Sequence, residues 1–243
     1  LAALSQWHQT QGFVDPAKAP QVKKVLKGIR ALHPAPVKKA KPLNVSVLET
    51  LDLHLNETIA HGDMLTSRRA LRDRALIWVG FWRGFRSDEL VRLRIEHIQT
   101  RSGTELSAYL PHSKGDRSYQ GKYYVLPKLN ALCPAKALST WKEALGENTG
   151  PVFRKIDRWG AIHHPPLNAG SVSGVLKRSL ASAGIDNAQA FSSHSLRRGF
   201  AHWAASNQWD VNELMQYVGW QDARTALSYL TTMQHRLPQL TSD

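Results

Sequence analysis

The apolar residues of the helical stretch 68–82 run nearly all the way round it, which marks it as central. Ala70, Leu71, Ala75, Leu76, Ile77, Trp78, Val79, Phe81 and Trp82 make up the set, and a helix of that kind is buried on every side rather than amphipathic. A chain that contains one must wrap other elements around it. Most of those elements read as helices. Val22, Val25, Leu26, Ile29 and Leu32 repeat at helical spacing upstream, and Val172, Val175, Leu176, Leu180 and Ala183 do so downstream. S-V-L-E from Ser46 has the form of a capping box, D-V-N-E from Asp210 starts another helix, and Asn168 and Asp222 are placed as N-caps. A further helix is expected to begin at His194 or Ser195. A turn at Gly84 leads into a short helix through Glu89 and Leu90. The exception is the stretch from Ile95 to Pro127, which has β character punctuated by Gly103, Gly115 and Gly121. It predicts a three-stranded antiparallel sheet with Lys114 in the turn before the last strand. Everything after Pro134 reads as helix. The expected fold class is α+β, mostly α, with one small sheet.

Charge and punctuation divide the chain. Between Pro16 and Pro42 stand Lys18, Lys23, Lys24, Lys27, Arg30, Lys38, Lys39 and Lys41 with no acid among them. Such a run is either a solvated helix face with a charged linker or an arm that tracks phosphates. H-P-A-P-V-K-K-A-K-P-L, from His33 to Leu43, has three prolines and no periodicity. The expected boundaries are a helical segment 1–34, a basic linker 35–45 and a main domain 46–243. A chain that opens on Leu1 is expected to be a fragment of a longer protein. The whole sequence of 243 residues carries a net charge of +13, which points to a polyanion, nucleic acid first. No apolar run approaches the roughly 18 residues of a membrane span, so no membrane partner is expected and a cytoplasmic setting is. The lone Cys133 excludes an internal disulfide framework and a cysteine-based zinc site.

The chemistry-bearing residues cluster late in the chain. F-S-S-H-S-L-R-R-G-F places His194 three residues before Arg197; V-G-W supplies Trp220; S-Y-L supplies Tyr229, nine residues further on. Upstream, G-F-R-S-D-E-L holds Arg86 and Glu89, and H-S-K-G-D holds Lys114. A phenol is a weak nucleophile at neutral pH and needs a target whose charge is already neutralised. Two arginines offer planar forks of donors to the non-bridging oxygens of a phosphodiester. A histidine and an indole N–H add hydrogen bonds that strengthen as charge develops, and a lysine can protonate the departing oxygen. Taken singly, each residue has an ordinary structural reading: a surface arginine, a turn lysine, a helix-capping histidine, a core tryptophan, a packed tyrosine. Their joint order and spacing are what favour the catalytic reading. Three rivals stay open: Arg198 beside Arg197, Lys122 against Lys114, and Tyr217 against Tyr229.

This set resembles the tyrosine recombinases, or phage-type integrases, over about residues 46–243. The resemblance rests on G-F-R-S-D-E-L, H-S-L-R, the Gly–Trp pair at Trp220 and the tyrosine nine residues on; the lysine is its least specific part. It implies a tyrosine-recombinase-like catalytic domain, with residues 1–34 as the tail of a core-binding domain. By resemblance, Tyr229 is the nucleophile, Lys114 the general acid, and Arg86, His194, Arg197 and Trp220 hold the phosphate, with Glu89 in support. Lys23, Lys24, Lys27, Lys38, Lys39, Lys41 and Arg198 are candidate DNA contacts. The implied activity is site-specific recombination of double-stranded DNA through a 3′-phosphotyrosyl intermediate, by a homotetramer on two synapsed sites, without metal, cofactor or ATP, in a bacterial or phage-derived setting. Two other readings fit parts of the pattern: type IB topoisomerase-like relaxation, and a non-catalytic DNA-binding factor on the same fold.

Overall fold

The computed structural model describes residues 1–34, 40–101, 105–112, 120–220 and 222–230, the side chains of residues 225 and 228–230 excepted. The chain divides into two compact units, residues 1–39 and 40–243. In the first, Asp15 ties α1 (Ala2–Thr10) to the turn at 16–18 that leads into α2 (Pro20–Leu32): its carboxylate accepts from Ser5 Oγ, Gln9 Nε2 and the Ala17 N–H. Gly12, at φ 74°, turns the chain after α1. No residue of either helix is buried, and Trp7, Phe13, Val25, Ile29 and Leu32 all stand exposed.

The second unit is built round α4 (Met64–Arg83), where residues 75–83 are all buried in succession. Asp63 starts this helix by accepting the Thr66 N–H at 2.7 Å. Around it pack α3 (Val45–His61), α5 (Ser87–Val91), α6 (Pro134–Leu145), α7 (Ser171–Ser182) and α8 (Ser193–Ser206). Then come α9 (Val211–Val218) and α10 (Ala223–Leu230), which packs on both α8 and α9. Two buried indoles keep their N–H groups satisfied: Trp82 donates to the Leu132 carbonyl at 2.7 Å and Trp141 to that of Val152 at 2.8 Å.

The expected sheet is present as β1 (Ile98–Thr100), β2 (Leu106–Leu110) and β3 (Lys122–Leu126), all antiparallel. Leu106 pairs with Leu126 and Ala108 with Tyr124, and these four face the core. A second sheet contradicts the all-helical reading after Pro134. Strands β4 (Arg154–Ile156) and β5 (Ile162–Pro166) form a hairpin with Ile156 opposite Ile162. It escapes the apolar pattern because its buried Arg154 reads as polar. That arginine is 2% exposed and makes a two-pronged bond to Glu147 at 2.8 and 2.7 Å.

Three helix starts also differ from expectation. Helix α3 begins at Val45 with Asn44 before it, not at a Ser46 box. The preceding segment is pinned to its surroundings by Lys41 N–H to Ala190 O (3.2 Å) and Leu43 N–H to Ser195 O (3.1 Å), so the chain arrives in helical position early. Asn168 accepts the Gly170 N–H in a local turn at 2.8 Å, and α7 starts only at Ser171. Ser192 caps α8, which therefore starts at Ser193. Asp210 and Glu213 do form their reciprocal box, and Asp222 accepts the Arg224 N–H at 3.0 Å.

Candidate active site

The turn after α4 sets the site. Gly84 adopts φ 57°, a conformation that glycine enters without a Cβ penalty. A Cβ there would stand 3.1 Å from Val218 Cγ1. The chain then enters α5 with Arg86 at its N-cap. Glu89, 4% exposed, accepts both the Arg86 N–H and Arg86 Nη1, each at 2.8 Å. One carboxylate thus fixes the backbone and the side chain of the same arginine. Its second oxygen lies 3.9 Å from Arg197 Nη1.

Arg197 arrives on α8. Ser195 Oγ accepts the Ser192 N–H at 2.9 Å and fixes the helix start. His194 and Arg197, three residues apart, then lie on neighbouring positions of one face. Arg197 is 1% exposed; its Nη1 donates to the Gly84 carbonyl at 2.5 Å. Its guanidinium carbon is 4.8 Å from the centre of the Trp220 ring, a cation–π arrangement. Trp220 reaches that position because α9 ends at Gly219 (φ 79°), and both Gly219 N–H and Trp220 N–H return to the Met215 carbonyl at 2.8 Å. Helix α8 can approach closely because a Cβ on Gly199 would fall 2.0 Å from the Leu43 carbonyl oxygen.

His194 is exposed above this buried pair. Desolvation holds its pKa below the ordinary imidazole value, and the positive charges of Arg197, Arg86 and Arg198 push it the same way. The imidazole is accordingly neutral at neutral pH. The Arg86, Arg197 and Arg198 guanidinium groups thus lie near the neutral ring, and guanidinium forks are suited to planar, hydrogen-bonded anions.

The remaining sequence-predicted residues fall as follows. Tyr229 lies in the last turn of α10, on the helix that packs against α8 and α9; its side chain is outside the described residues. Lys114 lies between β2 and β3, outside the described residues, as do Lys38 and Lys39. Lys122 is in β3, where its Nζ donates to the Gln216 carbonyl at 3.2 Å. Tyr217 is a packing residue: its ring stacks on Phe200 at 5.1 Å and lies 3.8 Å from the Arg83 guanidinium. Arg198 is 6% exposed, and its charge acts on His194. Lys23, Lys24 and Lys27 are exposed on α2, in the other unit. Lys41 is exposed and rests 5.4 Å from the Phe191 ring centre. One participant was missed from the sequence: the Gly84 carbonyl that holds Arg197. A glycine two residues before Arg86 marks a helix end with carbonyls open to a donor, but not which donor reaches it.

The profile of the phage integrase family matches residues 53–236. An integrase/recombinase xerD homolog of Selenomonas ruminantium is 30% identical over 236 residues, which is 95% of this chain and 66% of that protein. The XerH site-specific recombinase in a post-cleavage complex with palindromic difH substrate has a similar fold: TM-score 0.59, 19% identity, 81% of this chain and 51% of that one. A lambda integrase dimer bound to a COC′ core site gives a TM-score of 0.56 at 16% identity, covering 100% of this chain and 66% of the integrase. The chain thus spans about two thirds of the xerD homolog and about half of XerH. The family profile runs through every element that carries the cluster, from α5 to α10, and the chain belongs to the phage integrase family.

Proposed function

We infer that residues 46–243 are the catalytic domain of a site-specific DNA recombinase that cuts and rejoins duplex DNA through a tyrosine. The observation that carries this reading is the convergence of Arg86 and Arg197 on one buried carboxylate, under an exposed neutral His194 and beside Trp220. In the reaction, Tyr229 Oη attacks a backbone phosphorus and the bond to the 5′ oxygen breaks. The phenolic proton leaves to solvent, and Lys114 protonates the departing oxygen. The products are a 3′-phosphotyrosine and a 5′-hydroxyl. A 5′-hydroxyl from another strand then attacks the linkage and releases Tyr229, so one phosphoester replaces another and no ATP is consumed. Arg86 and Arg197 hold the non-bridging oxygens and offset the charge that grows in the transition state. His194 donates a hydrogen bond to the same phosphate as a neutral imidazole. Trp220 can donate its indole N–H to the phosphate but cannot accept or shuttle a proton; its ring packs against Arg197. The donor set is cationic and suited to a phosphate rather than to a metal ion.

Residues 1–34 are read as the end of a helical core-binding domain and 35–45 as the linker. The uncovered Trp7, Phe13, Val25, Ile29 and Leu32 support this, because such faces belong against a partner surface. The working assembly is a homotetramer on two DNA sites, in a bacterial or phage-derived cytoplasm. Among the described residues no helix is long and apolar enough to cross a membrane. The test is a denaturing gel of wild type and Tyr229→Phe on nicked duplexes, where the break lets the cut strand diffuse away. Wild type is expected to trap a covalent adduct while Tyr229→Phe binds DNA and traps none. An adduct from Tyr229→Phe would move the nucleophile elsewhere.

A further inference from the structure

Arg83 ends α4 and is buried, 4% exposed. A cation in the last turn of a helix ordinarily reaches into water and complements the negative end of the helix dipole. This one turns inward. Among the described residues no carboxylate pairs with it, and its Nε has no hydrogen-bond partner. Burial pushes its pKa below the ordinary guanidinium value, yet a guanidinium stays charged at neutral pH. A buried charge without a counter-ion is costly. Two rings and a carbonyl offset that cost here. The guanidinium carbon lies 3.8 Å from the centre of the Tyr217 ring and 5.1 Å from that of Tyr124, and Nη2 donates to the Tyr217 carbonyl.

That carbonyl belongs to the end of α9. A helix leaves its last carbonyls without partners inside the helix, and three of them in α9 are met from outside its regular ladder. The Met215 carbonyl accepts the Gly219 and Trp220 N–H groups, each at 2.8 Å. The Gln216 carbonyl accepts Lys122 Nζ at 3.2 Å. The Tyr217 carbonyl accepts Arg83. Tyr124, next but one to Lys122 in β3, packs against the following turn, since a Cβ on Gly219 would stand 3.1 Å from its hydroxyl oxygen. The end of α9 is therefore held by α4 through Arg83 and by β3 through Lys122. Trp220 follows directly, and α10, which carries Tyr229, starts at Ala223.

The same turn also bears on the phosphate arginine. The residue after Arg83 is Gly84, whose carbonyl accepts Arg197 Nη1 at 2.5 Å. One piece of chain thus ties Arg197 by its backbone and the α9 end by its side chain. We propose that Arg83 is a positioning residue of the reaction: by holding the Tyr217 carbonyl it sets where Trp220 and α10, with Tyr229, stand relative to Arg197. It acts through those elements and not on the phosphate itself. The inference rests on the recombinase reading and adds to it a residue outside the motifs of the sequence.

The test compares wild type, Arg83→Met and Arg83→Lys as full chains on saturating nicked duplex. Met fills the space without charge or donor, and Lys keeps the charge. Arg83→Met is expected to slow adduct formation in single-turnover assays by about 10- to 10²-fold, the effect of a small misplacement at a reaction centre, with affinity for the duplex unchanged. Arg83→Lys is expected to recover part of the rate. The second readout is fluorine NMR of fluorotryptophan-labelled protein, with Trp220 identified by Trp220→Phe. Its resonance is expected to shift in Arg83→Met, while that of Trp141, whose indole N–H is held by the Val152 carbonyl at 2.8 Å, stays in place. A wild-type rate or an unmoved Trp220 resonance in Arg83→Met would overturn the proposal. So would affinity that falls in step with the rate, or a Trp141 resonance that moves as well, because Arg83 would then serve general packing. Adducts from wild type together with an unmoved Trp220 resonance in the variant sink the clamp alone. No adducts from wild type together with a shifted resonance leave the clamp standing and sink the recombinase reading.

Discussion

Arg197 and Arg86 both lie against the Glu89 carboxylate, Arg86 bonded to it at 2.8 Å and Arg197 lying 3.9 Å from it. In the proposed reaction the two forks also hold the phosphate. Removing one well-placed donor to a developing oxyanion typically slows reaction by about 10²–10³. Arg197→Ala is expected to lose strand cleavage on that order in single-turnover assays on nicked DNA. Near-normal cleavage would hand the role to Arg198. His194 makes a second residue-scale prediction. Burial, helped by the Arg197, Arg86 and Arg198 charges, keeps it neutral below the ordinary imidazole range. The unfolded chain therefore takes up this proton first as pH falls. The native state loses stability relative to it from about pH 6.5 downward and is unaffected above. NMR titration of His194 is expected to give a pKa below the ordinary value, and Arg198→Gln is expected to raise it. A titration at or above the ordinary value would contradict the electrostatic account.

The elements differ in how legible they were. Helix α4 was plain in the sequence because apolar residues surround it, and β1–β3 because alternation and glycines frame them. The β4–β5 hairpin was not, since Arg154 is buried on Glu147 and two prolines, Pro165 and Pro166, end the second strand. The H-S-L-R spacing placed His194 and Arg197 on one helix face, but nothing local said that Arg197 would reach back to the Gly84 carbonyl more than a hundred residues earlier. Close approach of α8 to the 40–44 segment depends on Gly199, where a methyl group would meet the Leu43 carbonyl oxygen at 2.0 Å. Overpacking of that kind costs about 1–3 kcal/mol. Gly199→Ala is expected to lower stability by that amount in urea denaturation. A change within about 0.5 kcal/mol, the range of neutral surface substitutions, would mean that the segment is free to move aside.

Across the whole molecule, the charge of +13 was legible as a number but not as a surface. Arg69, Lys155 and Arg178 come from α4, the hairpin and α7, and only the fold puts them round one cavity. The basic run from Lys18 to Lys41 divides too: Lys23, Lys24 and Lys27 stand free on α2, while Lys41 is engaged with Phe191 beside α8. Both units thus present cations, and the first also exposes Trp7, Phe13, Val25, Ile29 and Leu32. All of this serves one central claim, that Tyr229 becomes joined to DNA. The most direct measurement is mass spectrometry of a protease digest of the adduct trapped on nicked duplex. The account predicts a nucleotide-bearing peptide whose modified residue is Tyr229; modification at Tyr217, or no modified peptide from a protein that binds the duplex, would contradict it.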